Sequence, residues 1–218
     1  LGAWSDFEYD FSGSTFFYPV DLTKSYYKKP VNFSGSTYKE GADFTGSTYK
    51  GGAEFTDSTY KGWANFSRST YKGWANFSRS IYKGWANFTD STYESRAYFT
   101  DSTYEGRANF SRSTYESRAY FTDSTYKGRA YFTDSTYKGG ANFSRSTYND
   151  VADFSGSIFY QKVYFGADGD NSSFSRFTGC APQFYDETNH KNTLFGSHNN
   201  DFTADTSEGY PINLNSEG

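Results

Sequence analysis

Aromatic residues recur along most of the chain at a fixed spacing of eleven positions. A first column holds Phe in thirteen copies and Leu in one, and its members are Phe11, Leu22, Phe33, Phe44, Phe55, Phe66, Phe77, Phe88, Phe99, Phe110, Phe121, Phe132, Phe143 and Phe154. A second column follows five residues later, with members Phe16, Tyr27, Tyr38, Tyr49, Tyr60, Tyr71, Tyr82, Tyr93, Tyr104, Tyr115, Tyr126, Tyr137, Tyr148 and Phe159. Such a period predicts stacked units that bury their apolar sides against one another.

The positions between the aromatic columns are small or polar. Ala stands two residues before each Phe from Ala42 to Ala152, and Ser stands two residues before each second aromatic from Ser14 to Ser157, so the repeat reads A-x-F-[ST]-x-S-T-Y-x-x-x. The residue before the second aromatic is mostly Thr, and β-branched residues favour strands. Because Ser, Thr and Gly are poor helix formers, the repeat predicts short strands separated by turns.

The segments Ala-Asn-Phe-Ser-Arg and Ser-Thr-Tyr-Lys-Gly resemble the unit of the pentapeptide-repeat proteins: a small residue, Asp or Asn, a large apolar residue, Ser or Thr, and often Gly. The resemblance covers roughly Tyr9 to Phe165. It implies an all-β fold, a right-handed four-sided β-solenoid (β-helix) with the central and small residues inward. This chain departs from the family pattern in its Phe and Tyr centres, where Leu is usual, and in an eleventh residue after every two units.

The charge pattern predicts the length of one coil. Two residues after the Phe column the chain carries Asp57, Arg68, Arg79, Asp90, Asp101, Arg112, Asp123, Asp134 and Arg145. Equivalent residues of stacked coils lie about 4.8 Å apart, so opposite charges should alternate up the stack. Signs are opposite in five of eight pairs 11 apart, six of seven pairs 22 apart and one of six pairs 33 apart. We therefore expect 22 residues per coil, with Asp57 beside Arg79 and Arg68 beside Asp90.

A coil of 22 residues places both aromatic columns inside the solenoid. The predicted core ladder residues are Phe66, Phe77, Phe88, Phe99, Phe110, Tyr71, Tyr82, Tyr93, Tyr104 and Tyr115. An inward Tyr needs a hydrogen-bond partner, since an unpaired hydroxyl costs about 1–3 kcal/mol, and the adjacent Ser column could supply one. The alternative is a flat coil of eleven residues with Phe inside and Tyr stacked on an outer face.

The repeat divides the chain into three segments. Residues 1–8 are expected to cap or dock, residues 9–165 to form a β-solenoid of fourteen repeats, and residues 166–218 to form an irregular cap or docking segment. The ends of a solenoid are unpaired strand edges that recruit other chains unless they are covered. We expect the tail or the N-terminal stretch to lie on a neighbouring subunit, giving a head-to-tail homo-oligomer.

Composition offers little catalytic chemistry. Charge is nearly balanced at −4, which favours no nucleic-acid partner, and the single cysteine, Cys180, excludes an intrachain disulfide. His190 and His198 fit no standard metal motif, and Asp168-Gly-Asp-Asn-Ser172 is only a fragment of a calcium loop. No apolar run is long enough for a membrane span. We expect a non-enzymatic protein without cofactor or metal.

Three surface features offer alternatives. Lys50, Lys61, Lys72 and Lys83 with Trp63, Trp74 and Trp85 could form a ligand-binding stripe, although charge balance between coils also explains the lysines. The Ser and Thr rows after Phe suggest an ice-binding face, which intervening Asp or Arg would roughen. The pattern N-x-[ST] marks candidate glycosylation sites at Asn32, Asn65, Asn76, Asn87, Asn109, Asn142 and Asn171, unless it is a by-product of the repeat.

The repeats favour a structural role. The chain contains no Met and begins at Leu1, so we expect that a targeting peptide was removed and that the protein is exported. The preferred hypothesis is a secreted subunit that assembles end to end into an extracellular fibre. The alternative is a module that binds a protein partner with its flat faces, in an organelle lumen or a membrane-associated complex. Ice binding is the weaker alternative.

Overall fold

The strands of the protein stack into four parallel sheets that form the four faces of a β-solenoid. The computed structural model describes residues 6–166 and 174–214, and no α-helix occurs among them. Every strand is two residues long, because each side of a coil turns after a single small–x–large or Ser-Thr-Tyr segment.

Faces 1 and 3 carry the Ala-x-Phe half of the repeat. Face 1 consists of β1 (Tyr9–Asp10), β5 (Val31–Asn32), β9 (Ala53–Glu54), β13 (Ala75–Asn76), β17 (Ala97–Tyr98), β21 (Ala119–Tyr120), β25 (Ala141–Asn142) and β29 (Val163–Tyr164). Face 3 consists of β3 (Val20–Asp21), β7 (Ala42–Asp43), β11 (Ala64–Asn65), β15 (Ala86–Asn87), β19 (Ala108–Asn109), β23 (Ala130–Tyr131) and β27 (Ala152–Asp153).

Faces 2 and 4 carry the Ser-Thr-Tyr half. Face 2 consists of β2 (Thr15–Phe16), β6 (Thr37–Tyr38), β10 (Thr59–Tyr60), β14 (Ile81–Tyr82), β18 (Thr103–Tyr104), β22 (Thr125–Tyr126), β26 (Thr147–Tyr148) and β30 (Arg176–Phe177). Face 4 consists of β4 (Tyr26–Tyr27), β8 (Thr48–Tyr49), β12 (Thr70–Tyr71), β16 (Thr92–Tyr93), β20 (Thr114–Tyr115), β24 (Thr136–Tyr137), β28 (Ile158–Phe159) and β33 (Leu194–Phe195). The tail adds an antiparallel pair, β31 (Tyr185–Asp186) and β32 (Lys191–Asn192).

The coil contains 22 residues, as the charge pattern predicts. Tyr71 pairs with Tyr93 in the parallel register of face 4. The Arg79 guanidinium donates to both carboxylate oxygens of Asp57, at 2.8 and 2.9 Å. Arg68 adjoins the coil of Asp90, since its backbone N–H donates to the Thr89 carbonyl at 2.8 Å. The alternative coil of eleven residues is therefore wrong.

The residue two positions after Phe turns the corner of the coil with a left-handed backbone. Asp57 and Arg68 have φ of 57° and 54°, and Gly occupies the equivalent positions at Gly35 and Gly46. Glycine adopts this conformation without a steric penalty, whereas other residues do so at some cost. The left-handed backbone explains why Gly occurs at this position, and Asp and Arg adopt the same backbone conformation in the other coils.

Aromatic rings fill the interior in columns along the solenoid axis. All ten predicted core ladder residues are no more than 1% exposed. Phe88 and Phe110 stack with ring centres 5.0 Å apart, and Tyr71 and Tyr93 stack at 4.9 Å. Neighbouring columns meet edge to face, as where Phe88 contacts the Phe99 ring at 5.2 Å and 79°. Each ring thus combines the two favoured aromatic geometries.

The buried Ser column serves the backbone instead of the tyrosines. Ser91 Oγ lies 3.3 and 3.2 Å from the carbonyl oxygens of Phe66 and Thr89, and it accepts the Ser69 N–H at 3.2 Å. The serines still lie near the Tyr hydroxyls, since Ser91 partly offsets the burial that raises the pKa of Tyr93, but none of the described serines makes a hydrogen bond of good geometry to a hydroxyl of this column. Eleven buried Tyr hydroxyls have no hydrogen-bond partner within the described part of the chain: Tyr38, Tyr49, Tyr60, Tyr71, Tyr82, Tyr93, Tyr104, Tyr115, Tyr126, Tyr137 and Tyr148.

The tail covers the last regular coil of its own chain. Four phenylalanines continue the interior columns, stacked as Tyr148–Phe177 (4.9 Å), Phe154–Phe184 (5.3 Å), Phe159–Phe195 (5.4 Å) and Phe165–Phe202 (6.2 Å). Its backbone also pairs with faces 1 and 3 through Asp201 and Gln183. An ion pair between Lys191 and Asp134 joins the tail to the repeats at 2.6 Å, and a second, Arg176–Asp205, lies within the tail at the same distance. Its described residues therefore form an intramolecular cap.

Removal of one interior ring should cost far more stability than removal of an outer charge. Phe99→Ala opens a cavity between stacked rings and should lower the free energy of unfolding by about 3–5 kcal/mol. The matched control, Asp101→Ala, removes an exposed carboxylate two residues away and should cost well under about 1 kcal/mol. Chemical denaturation of both variants measures the difference, and equal losses would contradict the inward position of Phe99.

Removal of one buried Tyr hydroxyl should stabilise the protein. Tyr93→Phe keeps the stacked ring and removes an unpaired hydroxyl, so the free energy of unfolding should rise by about 1 kcal/mol. Phe159 already occupies the same column and stacks on Tyr137 at 4.5 Å, so the replacement suits the site. Denaturant titration gives the value, and a loss of stability would show that the hydroxyl has a partner.

Candidate functional site

The solenoid presents its outer side chains in rows, one residue per coil. On face 1 the residue between Ala and Phe points outward, and this outer row of face 1 comprises Asp10, Asn32, Glu54, Asn76, Tyr98, Tyr120, Asn142 and Tyr164. Tyr98 and Tyr120 stack within it, with ring centres 5.2 Å apart and planes 4° from parallel. The outer surface therefore contains an aromatic ladder that the sequence analysis did not identify.

The eleventh residue of the repeat forms two further rows at opposite corners. Insertion row A, between faces 4 and 1, comprises Pro30, Gly52, Trp74, Arg96, Arg118, Gly140 and Lys162. Insertion row B, between faces 2 and 3, comprises Pro19, Gly41, Trp63, Trp85, Arg107, Arg129 and Val151. Trp63 and Trp74 lie directly on Gly41 and Gly52, where an added Cβ would collide with the indole ring.

The tryptophans are the most exposed large rings in the middle of the solenoid. Trp63, Trp74 and Trp85 are 37–43% exposed, and the Arg107 guanidinium lies 5.2 Å from the Trp85 ring. The neighbouring lysines stand in runs over three successive coils before an acid follows, as where Lys72 pairs with Glu94 at 3.1 Å. Charge pairing between coils therefore ends the predicted basic stripe instead of interrupting it.

Ion pairs between adjacent coils follow the corners. Arg112 and Arg145 each donate twice to the aspartate 22 residues earlier, Asp90 and Asp123, at 2.7 to 2.8 Å. The hydrogen bond from Arg112 is the main cause that lowers the pKa of the Asp90 carboxyl, and Arg145 acts likewise on Asp123. These pairs fix the register of neighbouring coils and contribute little stability each, because they are largely exposed.

Six of the candidate glycosylation sites lie at outward strand positions. Each of these asparagines uses Oδ1 to accept the backbone N–H two residues later, as Asn142 does from Ser144 at 3.0 Å. Asn87 is only 8% exposed, and its amide donates to Asn65 of the previous coil at 3.1 Å. Glycosylation at these positions stays a prediction, and Asn171 lies outside the described residues.

The hydroxyl rows behind the ice-binding hypothesis lie mostly inside the protein. In the row directly after Phe, Ser67 and Thr89 are buried, and Ser69 in the row two residues later is also buried. These rows therefore cannot serve as a regular outer surface. The hydroxyl-bearing residues that do face outward are the Thr residues of faces 2 and 4, such as Thr92, which are partly exposed.

The few reactive residues lie in the tail. Cys180 is partly exposed, and burial raises the pKa of its thiol. His190 Nδ1 lies 2.8 Å from the Tyr185 hydroxyl. In residues 6–166 and 174–214, no three His, Cys, Asp or Glu side chains are grouped to hold a metal ion, and no helix could span a membrane. The calcium-like segment at Asp168–Ser172 falls outside this part of the chain.

The N-terminal end of the solenoid differs from the covered C-terminal end. The strands β1, β2, β3 and β4 are each the outermost member of their sheet. Phe17 and Tyr18 are 66% and 82% exposed there, and Phe11 and Phe16, the first rings of their columns, are only partly buried. In the part of the chain that the structure describes, this end of the rod thus shows strand edges without a partner strand and exposed rings.

Comparison with known proteins agrees with this architecture. The family model for pentapeptide repeats matches the chain in nine copies, including residues 28–70 and 40–81. The chain is a pentapeptide-repeat protein. No curated protein and no solved structure gives a significant match. Its repeats carry one inserted residue after every two units, and these residues form insertion rows A and B.

The buried tyrosines should resist ionisation in alkali. Burial raises the pKa of Tyr71 and the other interior phenols well above 10. The unfolded chain ionises near pH 10, so the stability due to these neutral phenols is complete below pH 10. It is lost as the pH rises towards their folded pKa values.

An ultraviolet absorbance titration should therefore show two classes of tyrosine. The interior class should ionise well above pH 10 and only together with loss of the β-sheet circular dichroism signal, separately from the phenols that titrate as in a free peptide. A reversible titration of all tyrosines near pH 10 with an intact β-sheet signal would contradict the buried positions.

Proposed function

We propose that this pentapeptide-repeat protein is a non-enzymatic structural protein that self-associates end to end through its open N-terminal end. The observation that carries the proposal is the contrast between the two ends. The tail covers the last coil on all four faces, whereas among the described residues β1 to β4 have a partner strand on one side only. Unpaired edges of this kind recruit further strands.

The open edge offers backbone groups that are paired everywhere else in the solenoid. The Thr37 N–H donates to the Ser14 carbonyl at 2.8 Å, and the Lys39 N–H donates to the Phe16 carbonyl at 2.9 Å. Within residues 6–166 and 174–214, no strand pairs with the other side of β2, towards which the equivalent N–H groups of Thr15 and Phe17 are directed. An added strand would satisfy them.

Apolar surface at the same end strengthens the case. Phe11 and Phe16 stack on Phe33 and Tyr38 at 4.9 Å each, yet both rings stay partly exposed. The rings that follow them in these columns within the regular coils are fully buried. Covering the first rings would contribute hydrophobic free energy in proportion to the apolar area removed from water.

A second copy of the same end is the occupant we propose. A two-fold axis perpendicular to the solenoid axis brings two N-terminal ends together. Viewed from one end of the pair, the coils of the two copies then run in opposite directions. The facing edge strands then run antiparallel, and the two surfaces are identical and self-complementary. Assembly of pairs into an extracellular fibre would need a second contact surface, at the tail. The fibre hypothesis also requires export from the cell, for which the only support is the sequence.

The second candidate function is a protein-binding scaffold. It is favoured by the exposed Trp63 and Trp85 of insertion row B, since tryptophan is enriched at the energetic centres of protein interfaces. Pentapeptide-repeat solenoids generally serve structural or protein-interaction roles, which fits either candidate.

Light scattering and small-angle X-ray scattering test the end-to-end association. We expect a particle of twice the monomer mass and about 80 Å long, against about 40 Å for a single rod at the strand spacing. Phe17→Asp places a charge on the open edge and should give single rods. Tyr160→Asp is the matched control, because Tyr160 follows Phe159 as Phe17 follows Phe16 and lies next to the tail, away from the open end.

The three other outcomes are distinct. Filaments that Phe17→Asp abolishes would support the fibre. Single rods of the unaltered protein would overturn the proposal and leave the scaffold as the better candidate. Pairs that survive Phe17→Asp but not Tyr160→Asp would place the joint at the tail instead.

A further inference from the structure

One rung is missing from the outer aromatic ladder of face 1. Tyr98 and Tyr120 stack at 5.2 Å, and Tyr164 continues the row two coils beyond Tyr120. The coil between them carries Asn142 in this row and Gly140 in insertion row A. Both large side chains of that rung are therefore replaced by small ones at the same level.

The missing rung leaves a slot of about 240 Å³ in the side of the solenoid. Gly140, Ala141 and Asn142 form its floor, and the adjoining coils contribute Tyr120 with Arg118 on one side and Tyr164 with Lys162 on the other. Two coil spacings separate the walls by roughly 10 Å. A planar ring inserted halfway would lie about 5 Å from each Tyr, the distance at which Tyr98 already stacks on Tyr120.

The charge around the slot is positive. Arg118 and Lys162 flank the floor, and the other lining residue, Gln161, is neutral, so no acidic side chain lines the slot. The Lys162 Nζ lies over the Tyr164 ring, 4.1 Å from its centre, and its flexible side chain can swing to the edge of the slot when a ring enters. An occupant with a negative group at the edge of its ring would meet both cations, whereas a cationic occupant would be repelled.

We propose that the slot binds a planar aromatic carboxylate of one or two rings. The ring takes the place of the missing rung between Tyr120 and Tyr164, and the carboxylate pairs with Arg118 and Lys162. The volume suits a small molecule of this size. Because Asn142 lines the slot, the proposed binding mode requires that this residue carries no glycan. This inference rests on the slot alone and is independent of end-to-end association.

Titration with indole-3-carboxylate, followed by protein-observed NMR and calorimetry, tests the slot. We expect saturable binding at one site, with the neutral analogue indole-3-carboxamide about fivefold weaker because it lacks the ion pairs. Arg118→Gln should reduce carboxylate affinity towards that of the amide and leave amide affinity unchanged. An effect of Arg118→Gln on both probes equally would overturn the assigned role of the guanidinium.

Filling the slot should abolish binding without harming the fold. Asn142→Tyr restores the missing rung and copies Tyr98 and Tyr120, which the same strand position already accepts. Gly140→Arg restores insertion row A, and an added Cβ there has room, with its nearest neighbour at 3.4 Å. Both variants should lose indole-3-carboxylate binding and keep the parent melting temperature or exceed it.

The matched control is Asn76→Tyr, which adds the same side chain to the same row on the far side of Tyr98. It should leave binding unchanged. Absence of binding to the unaltered protein, or binding that survives both Asn142→Tyr and Gly140→Arg, would overturn the proposal.

Discussion

The structure depends on the match between the spacing of stacked strands and the spacing of stacked rings. Parallel strands lie about 4.8 Å apart, and offset aromatic rings are stable at centre distances from about 4.5 Å. Equivalent rings of successive coils meet this condition without distortion, as in Tyr104 and Tyr126 at 4.8 Å. Because one spacing suits both the backbone hydrogen bonds and the stacked rings, the same sequence repeat can be used in every coil without strain accumulating along the rod.

The same register imposes a cost at the tyrosines. A ring that stacks inward carries its hydroxyl inward too, and the nearby serines are already engaged by backbone carbonyls. The wide use of Tyr therefore does not follow from hydrogen bonding in the core. Phe16 and Phe159 show that Phe stacks equally well in these columns, so stacking does not explain the preference for Tyr.

Sequence reasoning succeeded where a feature repeats and was limited where the chain leaves the repeat. The coil length follows from Asp57 and Arg79, because a charge ladder reports which residues are stacked. The left-handed corner at Arg68 is hidden, since only its exchange with Gly46 signals positive φ. The path of the tail was not predictable from spacing: Phe177, Phe184 and Phe195 continue three columns, but loops of unequal length separate them. The slot was also not predicted. Gly140 and Asn142 mark a gap only when each is compared with the residues 22 positions before and after it, which are large in both rows.

Departures from the repeat are the places where this protein can recognise something. A regular coil satisfies its backbone, its core and most of its charges with the coils on either side, so its surface offers a partner little that is unsatisfied. Among the described residues, the first coil has a neighbour on one side only, and the Gly140–Asn142 rung has smaller side chains than the rungs beside it. Both proposed sites are gaps in a pattern of stacking, and in both proposals the occupant is what the pattern itself would have supplied: a strand at the end of the rod, and a ring at the missing rung.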